Sequence, residues 1–199
     1  MDKKLTIQEM KERHEKVLES YYGKEKDLIE AVIRCCPKND NVIEVAKKIA
    51  VIDVAYSTNL HLHKSKITLP EFADIITKVN FDKRVAVGDP SLVSDIAKEC
   101  KDKHKINLFS FTTKYCHVHN TYKYGRADYS IFDSRVAKKL PGIKTDKHQL
   151  KKCEIEKWKN DCNYKEFNEY IGNLLDEHDI TEKIEPQRRI LFDHYLWYE

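Results

Sequence analysis

Glycine and proline are scarce, at five each in 199 residues. Strand-rich folds need more turn residues than that, so a sandwich or barrel is excluded. No apolar run approaches the roughly 18 residues of a membrane span. The opening Met1-Asp2-Lys3-Lys4 leads straight into an amphipathic pattern and reads as no secretory leader. The net charge is only +3. That permits nucleic-acid binding without arguing for it, because dedicated DNA-binding domains are usually more basic. Six cysteines are present, but the chain is too long and too rich in core residues to need a disulfide framework. Cys35 and Cys36 lie in an apolar helical run and read as buried thiols. A reducing cytoplasm fits best.

What is abundant points one way. Charged residues make up 35% and apolar residues 41%, with many Lys, Glu, Ile and Leu. This is the composition of an all-α protein, a single helical domain over residues 1–199. Thr6 and Glu9 have the spacing of a capping box and start the first helix, which Gly23 is expected to end. A second helix runs from about Lys24 to Cys36 and stops at Pro37. The run from Val42 to Ala55 is apolar on nearly all sides and reads as the central buried helix. Leu69-Pro70-Glu71 opens another, and Gly88-Asp89-Pro90 precedes one from about Leu92 to Lys103. Helices follow over about Leu108–His119, Asp133–Leu140, Thr145–Lys159, Tyr164–Glu177 and Pro186–Tyr198. Asn120 to Ser130 reads as a polar, tyrosine-rich loop.

The informative stretch is Leu108 to Leu140. On a helical wheel Leu108, Phe111, Tyr115 and Val118 form one stripe, and Lys114 flanks it, roughly 80° from its centre. A lysine there can pack its stem on apolar carbon and turn its amine to a cleft. Partial desolvation lowers its pKa, as a nucleophilic lysine needs. Asp133 comes 19 residues later and directly precedes Ser134-Arg135-Val136-Ala137, where it is a good N-cap. A carboxylate held by backbone N–H groups can stabilise a developing cation or help take a proton from an amine. His117, about 60° from Lys114 on the wheel, can line the same cleft. Cys116, His117 and His119 spread around the helix axis and converge poorly on a metal ion, so no metal site is expected.

The pattern Phe111-Thr112-Thr113-Lys114-Tyr115-Cys116, a loop, then Ser130-Ile131-Phe132-Asp133-Ser134-Arg135-Val136 resembles the helix-hairpin-helix DNA glycosylases, above all the 8-oxoguanine glycosylase-like members. The resemblance covers about 30 residues. It implies two helical lobes with a cleft between them, and damaged or modified DNA as partner. It implies a glycosylase with β-lyase activity that excises an oxidised purine without a cofactor. Lys114 would attack the anomeric carbon of a flipped-out nucleotide and form a Schiff base, and Asp133 would assist. Where that family has glycines in the hairpin turn, Ser110 and Thr112 stand here, and their hydroxyls can still bond phosphate. Thr113, His117, Phe132 and Arg135 complete the expected substrate contacts. Arg126 and Arg135 can meet phosphates; exposed arginine is also common. Tyr122, Tyr124, Tyr129 and Phe132 can stack on bases or cover the loop and the lobe interface. The iron–sulfur cluster of some relatives is not expected, since Cys153 and Cys162 alone cannot supply four ligands. A helical module that binds nucleic acid or protein without chemistry is the alternative. The C-terminal run Ile190, Leu191, His194, Tyr195, Trp197, Tyr198 reads as a packing face.

Overall fold

The computed structural model describes residues 5–145, 149–181 and 187–198. Among these there are helices and turns and no strand. The α-helices are α1 (Ile7–Glu19), α2 (Tyr21–Cys35), α3 (Val42–Ala55), α4 (Leu69–Thr77), α5 (Phe81–Ala86), α6 (Ser91–His104), α7 (Phe109–Tyr124), α8 (Ser134–Lys139), α9 (Lys152–Asn160), α10 (Tyr164–Glu177) and α11 (Arg188–Trp197). Short 3-10 turns occupy Leu60–His63 and Leu140–Gly142. No helix of the described residues is long and apolar enough to cross a membrane.

Thr6 caps α1 by accepting the Glu9 N–H. Gly23 does not end that helix. Ser20 is the hinge, capping α2 through the Tyr22 N–H, and Gly23 lies in the first turn of α2. A Cβ at Gly23 would sit 1.8 Å from the Leu18 carbonyl oxygen, so the close α1–α2 junction requires glycine. Thr68 and Glu71 form a reciprocal capping box at α4, with Pro70 in the first turn. The short α5 has no counterpart in the sequence reading; its six residues are too few to set up a period. The helix expected from Thr145 begins at Lys152, and the one expected from Pro186 begins at Arg188. Met1–Lys4, residues 146–148 and Pro186 lie outside the described residues.

The central helix is α7, not α3. Ile43 and Val54 of α3 are exposed, whereas Phe109 and every residue from Phe111 to Asn120 are buried. Aromatic residues surround α7: Phe72 meets Phe111, Phe81 meets Tyr115, and Phe109 meets Phe132. The polar residues of α7 therefore need internal partners. The Tyr115 hydroxyl donates to Asn39 Oδ1 (2.7 Å). Lys48 Nζ, fully buried in α3, donates to the same oxygen (2.7 Å) and to the Lys38 carbonyl (2.6 Å). Burial pulls the Lys48 pKa down to about 8. Asp82 accepts from the Asn39 amide and backbone N–H, which ties α5 to the same knot. Cys36 is buried as expected, but Cys35 is exposed on the outer face of α2. All six cysteines are free thiols.

The two ends of the described chain meet where α1 packs on α11. Arg13 donates to the Tyr195 and Tyr198 carbonyls and stacks on the Tyr195 ring at 4.2 Å. His14 stacks on His194 with centroids 4.7 Å apart. This contact carries α11, and with it Trp197, to the N-terminus of α8.

Candidate active site

After α7 the chain turns at Gly125 (φ 65°) and runs back along the helix it has just left. Asn120 holds this return by donating to Asp128 Oδ2 and accepting the Asp128 N–H. Gly88 faces the same bend at φ 71°, where a Cβ would meet Asp128 Cγ at 2.6 Å. His117 Nδ1 donates to the Tyr129 carbonyl (2.8 Å). Thr113 Oγ1 accepts the Phe132 N–H (3.0 Å) and donates to the Ser110 carbonyl (2.8 Å). His117 and Thr113 are one helical turn apart, with Lys114 between them, so they pin the returning segment on either side of the lysine. Asp133 then arrives beside Lys114.

Asp133 is the N-cap of α8. Its Oδ1 accepts the Arg135 and Val136 N–H groups, each at 2.9 Å. Its Oδ2 accepts Trp197 Nε1 at 3.0 Å and lies 3.7 Å from Lys114 Nζ. That separation is an ion pair rather than a hydrogen bond. Lys114 is 4% exposed and Asp133 6%. Lys114 Nζ also stands 5.5 Å from the centre of the Tyr56 ring. Burial lowers the Lys114 pKa, opposed by the charges of Asp133 and Asp193.

Both residues line an open pocket of about 1440 Å³. Tyr21, Tyr22, Tyr56, Phe111, Phe132, Trp197 and Tyr198 supply aromatic walls. The Tyr22 and Tyr56 hydroxyls are 2.7 Å apart, and burial raises both pKa values well above the tyrosine norm. Arg135, Lys138, Lys152 and Lys159 also line the pocket, against the acidic Asp133 and Glu156. All four cations are exposed. The net charge of the chain is small, yet it is concentrated here.

The structure therefore brings Lys114, Asp133, Ser110, Phe132 and Arg135 to one pocket. It does not bring Thr112, Thr113 or His117 there. Thr112 is 1% exposed, and both its N–H and its hydroxyl donate to the Leu108 carbonyl, so neither is free for a phosphate. Thr113 and His117 hold the return segment instead. Ser110 and Thr112 lie within α7 and not in a turn before it. Tyr129 is fully buried with its hydroxyl on the Asp89 carbonyl, and Tyr122 and Tyr124 extend α7 beyond its expected end. Of those four aromatics only Phe132 lines the pocket. Arg126 pairs with Asp128, and Arg135 stacks on the Trp197 ring at 4.3 Å. Among the described residues no three His, Cys, Asp or Glu side chains are grouped to hold a metal ion.

Trp197, Tyr56 and Tyr22 belong to this site and were not found from sequence.

Residues 4–123 match the family model HI_0787_N, an N-terminal domain. The chain belongs to the HI_0787_N family. The HI_0787_N span covers α1 to α6 and all but the last residue of α7, so it contains Lys114 and stops short of Asp133, Asp193 and Trp197. No curated protein and no solved structure matches the chain.

Proposed function

We propose that this chain is a DNA glycosylase with β-lyase activity, acting on an oxidised purine such as 8-oxoguanine through Lys114 and Asp133. The reading rests on one observation. A desolvated lysine amine and a carboxylate fixed by three N–H donors stand 3.7 Å apart in a pocket with aromatic walls and a basic lining. Each part has a use in that chemistry. The exposed cations attract a phosphate backbone. Aromatic walls receive a flipped base by stacking. Lys114, once neutral, attacks the anomeric carbon, and Asp133 stabilises the oxocarbenium-like stage. We read the pocket as the cleft between two helical lobes, one on either side of α7 and α8. The free thiols fit a reducing, cytoplasmic setting. A module without chemistry would leave Lys114 on a solvated face with no pocket beside it, and Lys114 is neither solvated nor remote from one.

Borohydride reduction tests this directly. Incubated with DNA carrying an abasic site or 8-oxoguanine, the protein should form a covalent adduct that survives denaturation. Lys114→Gln should form none while keeping its helical circular dichroism. A wild-type protein that gives no adduct, where a known lyase traps, overturns the reading.

A further inference from the structure

Two neighbours support the charge at Lys114 Nζ, and neither does so by a hydrogen bond. Asp133 Oδ2 stands 3.7 Å away, an ion-pair distance. Nζ also lies over the face of the Tyr56 ring, 5.5 Å from its centre, within the range at which a π face attracts a cation. All three residues line the same pocket. Tyr56 closes the C-terminal end of α3 and is 3% exposed. Its ring is held in place by two others. Tyr22 meets it at 5.5 Å and 68°, and Trp197 at 6.4 Å and 89°, both edge-to-face arrangements. Tyr22 and Trp197 also pack on each other at 5.7 Å, and the Tyr22 and Tyr56 hydroxyls are bonded at 2.7 Å. Burial keeps the Tyr56 phenol protonated, so the ring presents a face and no charge. At Lys114 burial favours the neutral amine, the charges of Asp133 and Asp193 favour the ammonium, and Arg135 opposes it. Desolvation is also what gives a π face its full effect on a cation.

We propose that the Tyr56 ring holds positive charge at Lys114 Nζ in both of its cationic forms, the resting ammonium and the iminium of the Schiff base. The ammonium half stands by itself, and the iminium half rests on the glycosylase reading. Overall, the ammonium and the C1′ aldehyde of an abasic sugar give an iminium and one water. Two N–H bonds break, and their electron pairs form the C=N double bond. The pairs of the C=O bond stay on oxygen, which takes the two protons and leaves as water. Nitrogen keeps one N–H and the positive charge. Hydrogen-bond acceptors arranged around the three N–H groups of an ammonium would lose partners in this step. A π face responds to the charge and not to the number of hydrogens that carry it. It also takes no proton from the amine and leaves the lone pair unblocked.

Ring fluorination separates this role from packing, because it drains the π face while changing its shape little. The series starts from Tyr56→Phe and continues with monofluoro- and trifluorophenylalanine at the same position. The carbon shift of the Lys114 Cε, assigned by its loss in Lys114→Gln, gives the titration midpoint of the amine without DNA. That midpoint should fall stepwise along the series, by about half to one pH unit in all, roughly a threefold to tenfold loss of preference for the ammonium. A midpoint that stays level or rises overturns the proposal. If Tyr56→Phe does not fold, a fluorotyrosine at this position, which keeps the bond to Tyr22, should lower the midpoint from its wild-type value, and a level midpoint there overturns the proposal equally. With abasic DNA, above the midpoint, the resting amine is neutral and only the iminium is charged. The borohydride-trapped yield should then fall in the same order, and a level yield overturns the iminium half. If no protein, wild type included, gives an adduct, the glycosylase reading fails while the midpoints still decide what Tyr56 does for the ammonium.

Discussion

Asp133 does two jobs with one carboxyl group, and they can be separated. Its Oδ1 caps α8, and its charge faces Lys114. Asparagine caps a helix about as well as aspartate does but carries no charge. Asp133→Asn should therefore keep the cap and lose stability only through the charge facing Lys114 and the bond from Trp197 Nε1, while the trapping rate falls about a hundredfold, the scale of a lost electrostatic stabiliser. Asp133→Ala should show the same kinetic loss and in addition cost about 1 kcal/mol of stability. Trp197→Phe keeps the ring under Arg135 but removes the Nε1 donor to Asp133. Its expected effect is a roughly tenfold slower adduct formation, in line with a charge-assisted hydrogen bond.

At the scale of elements, the site depends on how one helix carries the segment that follows it. The return from Gly125 to Asp133 uses no sheet ladder, so its backbone groups must be met by side chains. Thr113 meets one of them, the Phe132 N–H, in a spot closed to water. Thr113→Val preserves shape and leaves that donor unsatisfied. It should cost about 1–3 kcal/mol in urea unfolding with an unchanged m-value, and Thr113→Ser should recover most of it. The hairpin-like expectation placed Thr113 and His117 against substrate. They act one layer further in, because α7 is wrapped on all sides and its buried Thr113, Tyr115, His117 and Asn120 each bond a neighbouring segment.

For the whole molecule, the buried histidines set the acid limit. Burial holds His119 and His194 near a pKa of about 3, and lowers His14 and His117. In the unfolded chain each titrates near the ordinary 6.5, so below that pH the unfolded state binds more protons than the folded one. Stability is complete above about pH 6.5 and is lost progressively as pH falls towards 3. Urea midpoints measured from pH 7 to 4 should fall accordingly. His119 is packed against Tyr115 and Phe81 with its Nε2 buried and unbonded. His119→Phe should flatten the acid slope by about one proton.

The all-helical class, most helix boundaries and the cap at Asp133 were legible in the sequence, because composition, punctuation and capping act over a few residues. Asp133 reads as an N-cap from its place before Ser134-Arg135-Val136, and the fold agrees. Lys114 was legible as a lysine beside an apolar stripe, but its near-complete burial was not, since the stripe accounts for one face of α7 and the fold covers all of them. The identity of the central helix went to α7 over the more apolar α3, because burial depends on what packs around a helix as well as on its own side chains. Residues remote in the chain, Tyr22, Tyr56 and Trp197, joined Lys114 only through the packing of α1 on α11 and of α2 and α3 on α7. Local rules carry no information about such meetings, and so the sequence proposed the lysine and the aspartate while the tertiary structure alone supplied their walls and their third N–H donor.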